Sequence, residues 1–183
     1  MNDVSPAENL SERLVARLER IASPDTRDRA ALARLRKALH SSRRLEALPV
    51  VIDYVEPSHP RDVERLEDAA ILLAGLFALH PVHRRGHSLA RALAPIAESQ
   101  GGNSVEERFR ALLSASTSEL PVHLRHAVSL VRSVSPGTGI DYVDLHWAIR
   151  GWDHDEGASR RRWARDFWGG AQNRHDSDAQ ADA

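Results

Sequence analysis

The sequence predicts an all-α protein, on three observations. Apolar residues recur at three- and four-residue spacing along most of the chain, the period of one helix face. Several of these stripes follow Ser, Asp or Pro, which start helices by capping the free N–H groups or by lacking one. Only one run, Val50 to Val55, looks like a strand. A single strand has no ladder partner, so irregular or helical structure is expected there.

Leu10, Leu14, Val15, Leu18 and Ile21 form the first stripe, and Leu32, Leu35 and Leu39 the second. Val63, Leu66, Ala70, Leu73 and Phe77 give a third, with Pro60 near its start. Ser104 to Glu107 reads as a capping box ahead of Phe109, Leu112 and Leu113. Ser118 is placed to cap a helix carrying Leu120, Leu124, Val128 and Val131, with Pro121 tolerated in its first turn. Asp141 is placed to cap another that holds Leu145, Trp147 and Ile149. A last helix runs from about Gly157 to Trp168 and buries Trp163 and Phe167.

At 183 residues the chain suits one globular unit or two small lobes. Gln100-Gly101-Gly102-Asn103 is the best linker, dividing an N-terminal helical lobe (1–99) from a C-terminal one (100–168). The polar composition after Trp168 predicts a disordered tail over 169–183. The chain is 42% hydrophobic and 28% charged, an ordinary soluble composition. It has no cysteine, which excludes disulfides, thiolate nucleophiles, iron–sulfur ligation and cysteine-rich zinc sites. No run approaches the ~18 to 20 apolar residues that cross a bilayer. Asp3, Glu8 and Glu12 do not fit a secretory signal, so a cytoplasmic location is expected.

The net charge is -1, yet it is segregated. From Arg27 to Arg44 seven cations (Arg27, Arg29, Arg34, Arg36, Lys37, Arg43, Arg44) face Asp28 alone, a local balance of +6. From Asp53 to Asp68 six acids face Arg61 and Arg65, a balance of -4. Three arginines and no acid lie between Arg84 and Arg91. If Leu32, Leu35 and Leu39 point inward, Arg29, Arg36 and Lys37 stand on the outer arc, where phosphates can neutralise them and release counterions. The plainer reading of such a run is a solvated helix face with local ion pairs.

No catalytic pattern stands out. His80, His83 and His87 lie around Pro81 and Gly86, which break a regular helix, and beside Arg84 and Arg85, which repel a divalent cation. His154-Asp155 and His175-Asp176 lack the further ligands that a metal-dependent phosphohydrolase needs. Nucleophile-elbow and phosphate-loop spacings are absent. Trp147, Trp152, Trp163 and Trp168 have the chemistry to stack bases. Trp163 packs better as core with Phe167, and Trp152, at a helix end, is the one left open.

The order of several segments carries more information. Ala30 to Leu39, with its Arg34-Leu35-Arg36-Lys37, precedes Ser88-Leu89-Ala90-Arg91-Ala92-Leu93 and Val105-Glu106-Glu107-Arg108-Phe109-Arg110-Ala111-Leu112-Leu113. Val122-His123-Leu124-Arg125-His126 comes next, then Ile140-Asp141-Tyr142, and finally Trp152 and Trp163 with Asp166-Phe167. Over about residues 27 to 168 this arrangement resembles CasB, the small subunit of the type I-E CRISPR Cascade complex.

The resemblance implies a two-lobed helical protein without a catalytic site or cofactor. Its expected partners are crRNA and target DNA in the R-loop, the backbone and large subunits, and a second copy of itself. It implies nucleic-acid contacts at Arg36 and Lys37, an adjacent basic pair, at Arg91 after Ser88-Leu89-Ala90, and at Arg108 and Arg125 in the next two helices. Arg29, Arg34, Arg110, His126 and Arg132 join them on charge and sequence proximity. His126 stands where the pattern ends in a second strong cation. Two rival readings are a free-standing helical DNA-binding regulator, which needs a helix-turn-helix pair, and a histidine-based metal phosphohydrolase.

Overall fold

The computed structural model describes residues 6–26, 28–56, 59–99, 103–154 and 156–181. Among them the α-helices are, in chain order, α1 (Pro6–Ala22), α2 (Arg29–Lys37), α3 (Leu48–Val51), α4 (Val63–Leu79), α5 (Leu89–Ser99), α6 (Asn103–Ser114), α7 (Leu120–Val134), α8 (Tyr142–Gly151) and α9 (Ala158–Ala181). The fold is all-α, as the periodicity predicts. The strand-like run forms α3 and a 3-10 turn, Ile52–Tyr54. The described residues hold one isolated parallel bridge, between His83 and Ile140.

The apolar stripes decide which helix goes inside. In α4, Leu66, Ala69 to Ile71 and every residue from Leu73 to Ala78 are buried. A helix that is apolar nearly all round must be surrounded, and α4 packs against α1, α2, α7 and α8. Leu10, Leu14, Val15, Leu18 and Ile21 of α1 are all buried, as the first stripe predicts. α2 lies antiparallel along α4. Arg36 reaches the carbonyl of Ala78, and Arg44, just beyond α2, pairs with Asp68. Gly75 permits this approach: a Cβ there would sit 2.6 Å from Leu39 Cδ2 and 3.1 Å from the Leu35 carbonyl oxygen. The buried apolar residues form one cluster that draws on each helix from α1 to α9 and on the turns between them.

Local start signals hold in some places and give way in others. Asp28 caps α2 by accepting from the Ala31 N–H at 2.9 Å, and the basic last turn of Arg34, Arg36 and Lys37 suits the negative helix end. Asp141 caps α8 as expected, accepting from Val143 at 3.0 Å and Asp144 at 3.1 Å. Ser104 does not cap α6, which begins one residue earlier at Asn103. Ser118 does not cap α7 either. Glu119 occupies the cap position, and its carboxylate accepts the Ser116 N–H at 3.0 Å and the Ser116 hydroxyl at 2.7 Å. That pair closes the turn before α7, and Pro121 falls in the helix's first turn.

The proposed linker residues 100–102 lie outside the described residues. α9 follows Gly157, whose φ of +77° suits glycine. It buries Trp163 and Phe167 and continues as helix to Ala181, across the segment whose composition predicts a tail.

Candidate nucleic-acid interface

α2 places its charges as the stripe demands. Ala31, Leu32 and Leu35 are buried, while Arg29, Arg34, Arg36 and Lys37 are exposed. Arg36 donates from Nε to the Ala78 carbonyl at 2.7 Å, which steadies the side chain at the C-terminal end of α4. No ion pair among the described residues engages Arg29, Arg34, Arg36 or Lys37, whereas Arg43 and Arg44 are held by Glu46 and Asp68. Arg27 lies outside the described residues.

Arg91 is differently placed. It donates to Asp166 Oδ1 from Nε at 3.0 Å, and its second terminal nitrogen is also 3.0 Å from that oxygen. Its remaining terminal nitrogen donates to the Gly86 carbonyl at 3.3 Å. Ser88 donates to Asp166 Oδ2 at 2.6 Å. Asp166 is largely buried, so this fork ties α5 to α9. Arg110 pairs with Glu106 one turn back at 2.7 Å and lies 5.8 Å over the Trp168 ring, whose N–H donates to the same carboxylate at 3.1 Å. Both arginines therefore already have carboxylate partners.

Arg108, Arg125, His126 and Arg132 are exposed, and no described ion pair engages them. α6 packs against α7, and Arg108, His123 and His126 line one groove between the two helices. Arg125 and Arg132 are seven residues apart on α7, two turns along one side. The structure thus places the candidates on α2 and on α6 and α7, where Arg108 and His126 share the groove and Arg125 and Arg132 do not line it. α4 runs between α2 and α7: Ala69 and Leu72 share a depression with Leu120 and Val122 at the start of α7, and the turns after α4 and α7 are joined by hydrogen bonds.

Those bonds account for the three clustered histidines. His80 Nε2 lies 2.6 Å from the Thr138 carbonyl, His83 Nδ1 3.1 Å from that of Ile140, and His87 Nδ1 2.8 Å from that of Gly139. Three rings bind three successive carbonyls, which fastens the α4–α5 turn to the α7–α8 turn. The described residues contain no group of histidine and acidic side chains arranged to hold a metal ion. Asp155 and the side chain of His175 lie outside the described residues.

Trp152, left open for stacking, is a core residue. It is 1% exposed, donates to the Ala115 carbonyl at 2.9 Å and carries Arg160 over its face at 4.7 Å. Trp163 is buried too, with its N–H 3.1 Å from Asp144 Oδ2. Sequence reasoning missed Asp144 and gave Asp166 no structural role, yet these two acids anchor α9. Asp166 follows Trp163 by three residues on a helix whose apolar residues face inward, which is the available signal. Burial pushes the Asp144 carboxyl up, against the opposing pull of Arg162 and the Trp163 N–H.

The sequence matches the family described as CRISPR-associated protein Cse2 over residues 31–168. It is also 36% identical over 140 residues to the CRISPR-associated protein Cse2 of Thermus thermophilus, covering 75% of this chain and 79% of that protein. The chain belongs to the Cse2 family. The crystal structure of a Cse2-family protein from Thermus thermophilus overlays with a TM-score of 0.73 at 32% identity, over 90% of this chain and 99% of that one. A chain in a structure described as a CRISPR RNA-guided surveillance complex overlays with a TM-score of 0.73 over 93% of this chain and 98% of that one, and at 23% identity it speaks to the fold alone. Solved relatives carry the name CasB as well as Cse2, so the resemblance read over 27–168 is the family itself.

Proposed function

We propose that this Cse2-family chain is a non-catalytic small subunit of a type I-E CRISPR surveillance complex, Cascade. In this reading it touches the backbones of crRNA and target DNA without reading sequence and steadies the R-loop. It works beside the backbone and large subunits and a second copy of itself. The observation that carries the reading is the set of exposed cations on α2, α6 and α7 that no described carboxylate engages. Exchanging a DNA duplex for an RNA–DNA hybrid is nearly balanced in free energy, so a few backbone contacts suffice to tip it. Arginine and lysine on rigid helices supply such contacts without base specificity.

Arg29, Arg34, Arg36 and Lys37 form one contact group, and Arg108, Arg125, His126 and Arg132 the other. Arg91 and Arg110 serve to position α9 and α6. The test is a salt titration of target-DNA binding by the assembled complex. Arg36→Ala with Lys37→Ala should weaken binding and reduce the log–log salt slope by about 1.4 to 1.8, two contacts' worth. An unchanged slope with intact helicity removes this pair from the interface.

A further inference from the structure

We propose that the groove between α6 and α7 receives an unpaired nucleobase of the strand whose phosphates the neighbouring cations hold. The inference rests on the proposed function and adds to it: backbone contact alone needs a charged surface, not an apolar recess.

The recess encloses about 660 Å³, within the ~300 to 1,000 Å³ range of small-molecule sites. Its floor is apolar, from Leu93, Val105, Phe109, Leu112, Ala127 and Leu130. Its rim is polar and carries one fixed cation: Arg108 from α6, then His123, His126, Ser129 and Ser133 from α7. No carboxylate among the described residues lines it. Glu119, one turn before His123, is turned to Ser116. Such a lining suits an occupant that combines an apolar body, polar edges and negative charge. An unpaired nucleotide has all three: base faces for the floor, base edges for the ring nitrogens and hydroxyls, and phosphates for Arg108. Phe109, whose ring belongs to the floor, is stacked on Phe167 at 4.1 Å, so the base would meet a part-aliphatic, part-aromatic floor braced from behind.

The discriminating probes are two single-stranded oligonucleotides of equal length and charge, one oligo-dT and one with abasic sugars throughout. The full chain is titrated with each at low salt. Wild type should bind oligo-dT about tenfold more tightly, within the range of losing base contacts at such sites. Ala127→Trp, which fills the floor without altering charge, should abolish the preference and leave the salt slope unchanged. Ala111→Trp, at an exposed point of the wall, repeats the test should the first variant unfold. Equal binding of both probes by wild type overturns the groove inference while leaving the backbone reading intact. A preference that survives both tryptophans overturns it too, as does a tryptophan variant that loses a neighbouring protein subunit while keeping the preference. Failure of wild type to bind either probe overturns the groove inference, while the backbone reading stands or falls separately on the salt titration of the assembled complex.

Discussion

Arg91 offers the sharpest separation of a structural cation from a contacting one. Its Nε and one terminal nitrogen converge on Asp166 Oδ1, each at 3.0 Å, and its other terminal nitrogen donates to Gly86. Arg91→Ala leaves Asp166 with only the Ser88 hydroxyl among these partners. The carboxylate is 14% exposed and the guanidinium 55%. A charge-assisted bond to a buried carboxylate contributes about 1.5 to 3 kcal/mol, but an exposed pair only about 0.2 to 1. With one partner buried and the other in solvent, the expected cost is about 1 to 2 kcal/mol. For a chain of this length that lowers the Tm by roughly 2 to 8 °C. Asp166→Asn should cost a similar amount, and a double-mutant cycle should return about 1 kcal/mol of coupling. Urea unfolding of the four species gives the stabilities, and the salt slope of target binding gives the contacts. The reasoning fails if Arg91→Ala keeps full stability and yet reduces the slope by a whole contact, because the fork would then be irrelevant and the side chain would reach phosphate.

Asp141 accepts backbone N–H groups from Val143, Asp144 and, at 2.6 Å, Gly86. Asp141→Ala should cost about 2 to 4 kcal/mol, a lost cap plus a part-buried donor left unpaired; Asp141→Asn should recover roughly the cap in urea unfolding, since it retains one acceptor oxygen. His146 is fully buried against Ser11, with Nδ1 2.8 Å from its hydroxyl, and burial, then nearby Arg150, depresses its pKa to about 3. Because the folded-state value lies below the unfolded one of about 6.5, its contribution is present at neutral pH and is lost as pH falls towards 3. Unfolding free energy should drop by about 2 kcal/mol between pH 7 and 5 from this group, and His146→Leu should flatten that slope. Gly75→Ala should cost about 1 to 3 kcal/mol by overpacking, with Leu39 forced from its place; an unchanged urea midpoint would show that Leu39 moves aside freely.

The stripes of α1 and α2 were legible because the period marks the buried face, whereas α4 is buried nearly all round and its stripe marked only part of what it buries. Capping was legible at Asp141, whose side chain is short and acidic; Asp28, which also caps, was read only as the lone acid of a basic run. It misled at Ser118, because Glu119 reaches back to Ser116 and supplies the turn's closure. The outward charges of α2 followed from Leu32 and Leu35 pointing inward. What pairs with a cation did not follow, since Asp166 lies 75 residues from Arg91 and local spacing carries no information about such a contact. The same limit hid the histidine clasp, where His80 and Thr138 are 58 residues apart. It also hid the burial of Trp152, which depends on α9 laying Arg160 across it.

A near-neutral chain can grip a polyanion only if its acids are kept away from its cations, and ion pairing decides how far they are. Asp62 and Asp68 from the acidic segment are engaged by Arg65 and Arg44, and Asp166 and Glu106 by Arg91 and Arg110. These pairs cancel locally and contribute nothing to counterion release. The charges that matter are the remainder, and at physiological salt a surface charge is felt only over about 8 Å. Within that reach, the exposed arc of α2 and the α6–α7 rim present cations that no described ion pair neutralises. In the proposed reading the net charge of -1 is therefore a poor guide to binding: it averages over charges that are already paired and over faces away from the contact groups.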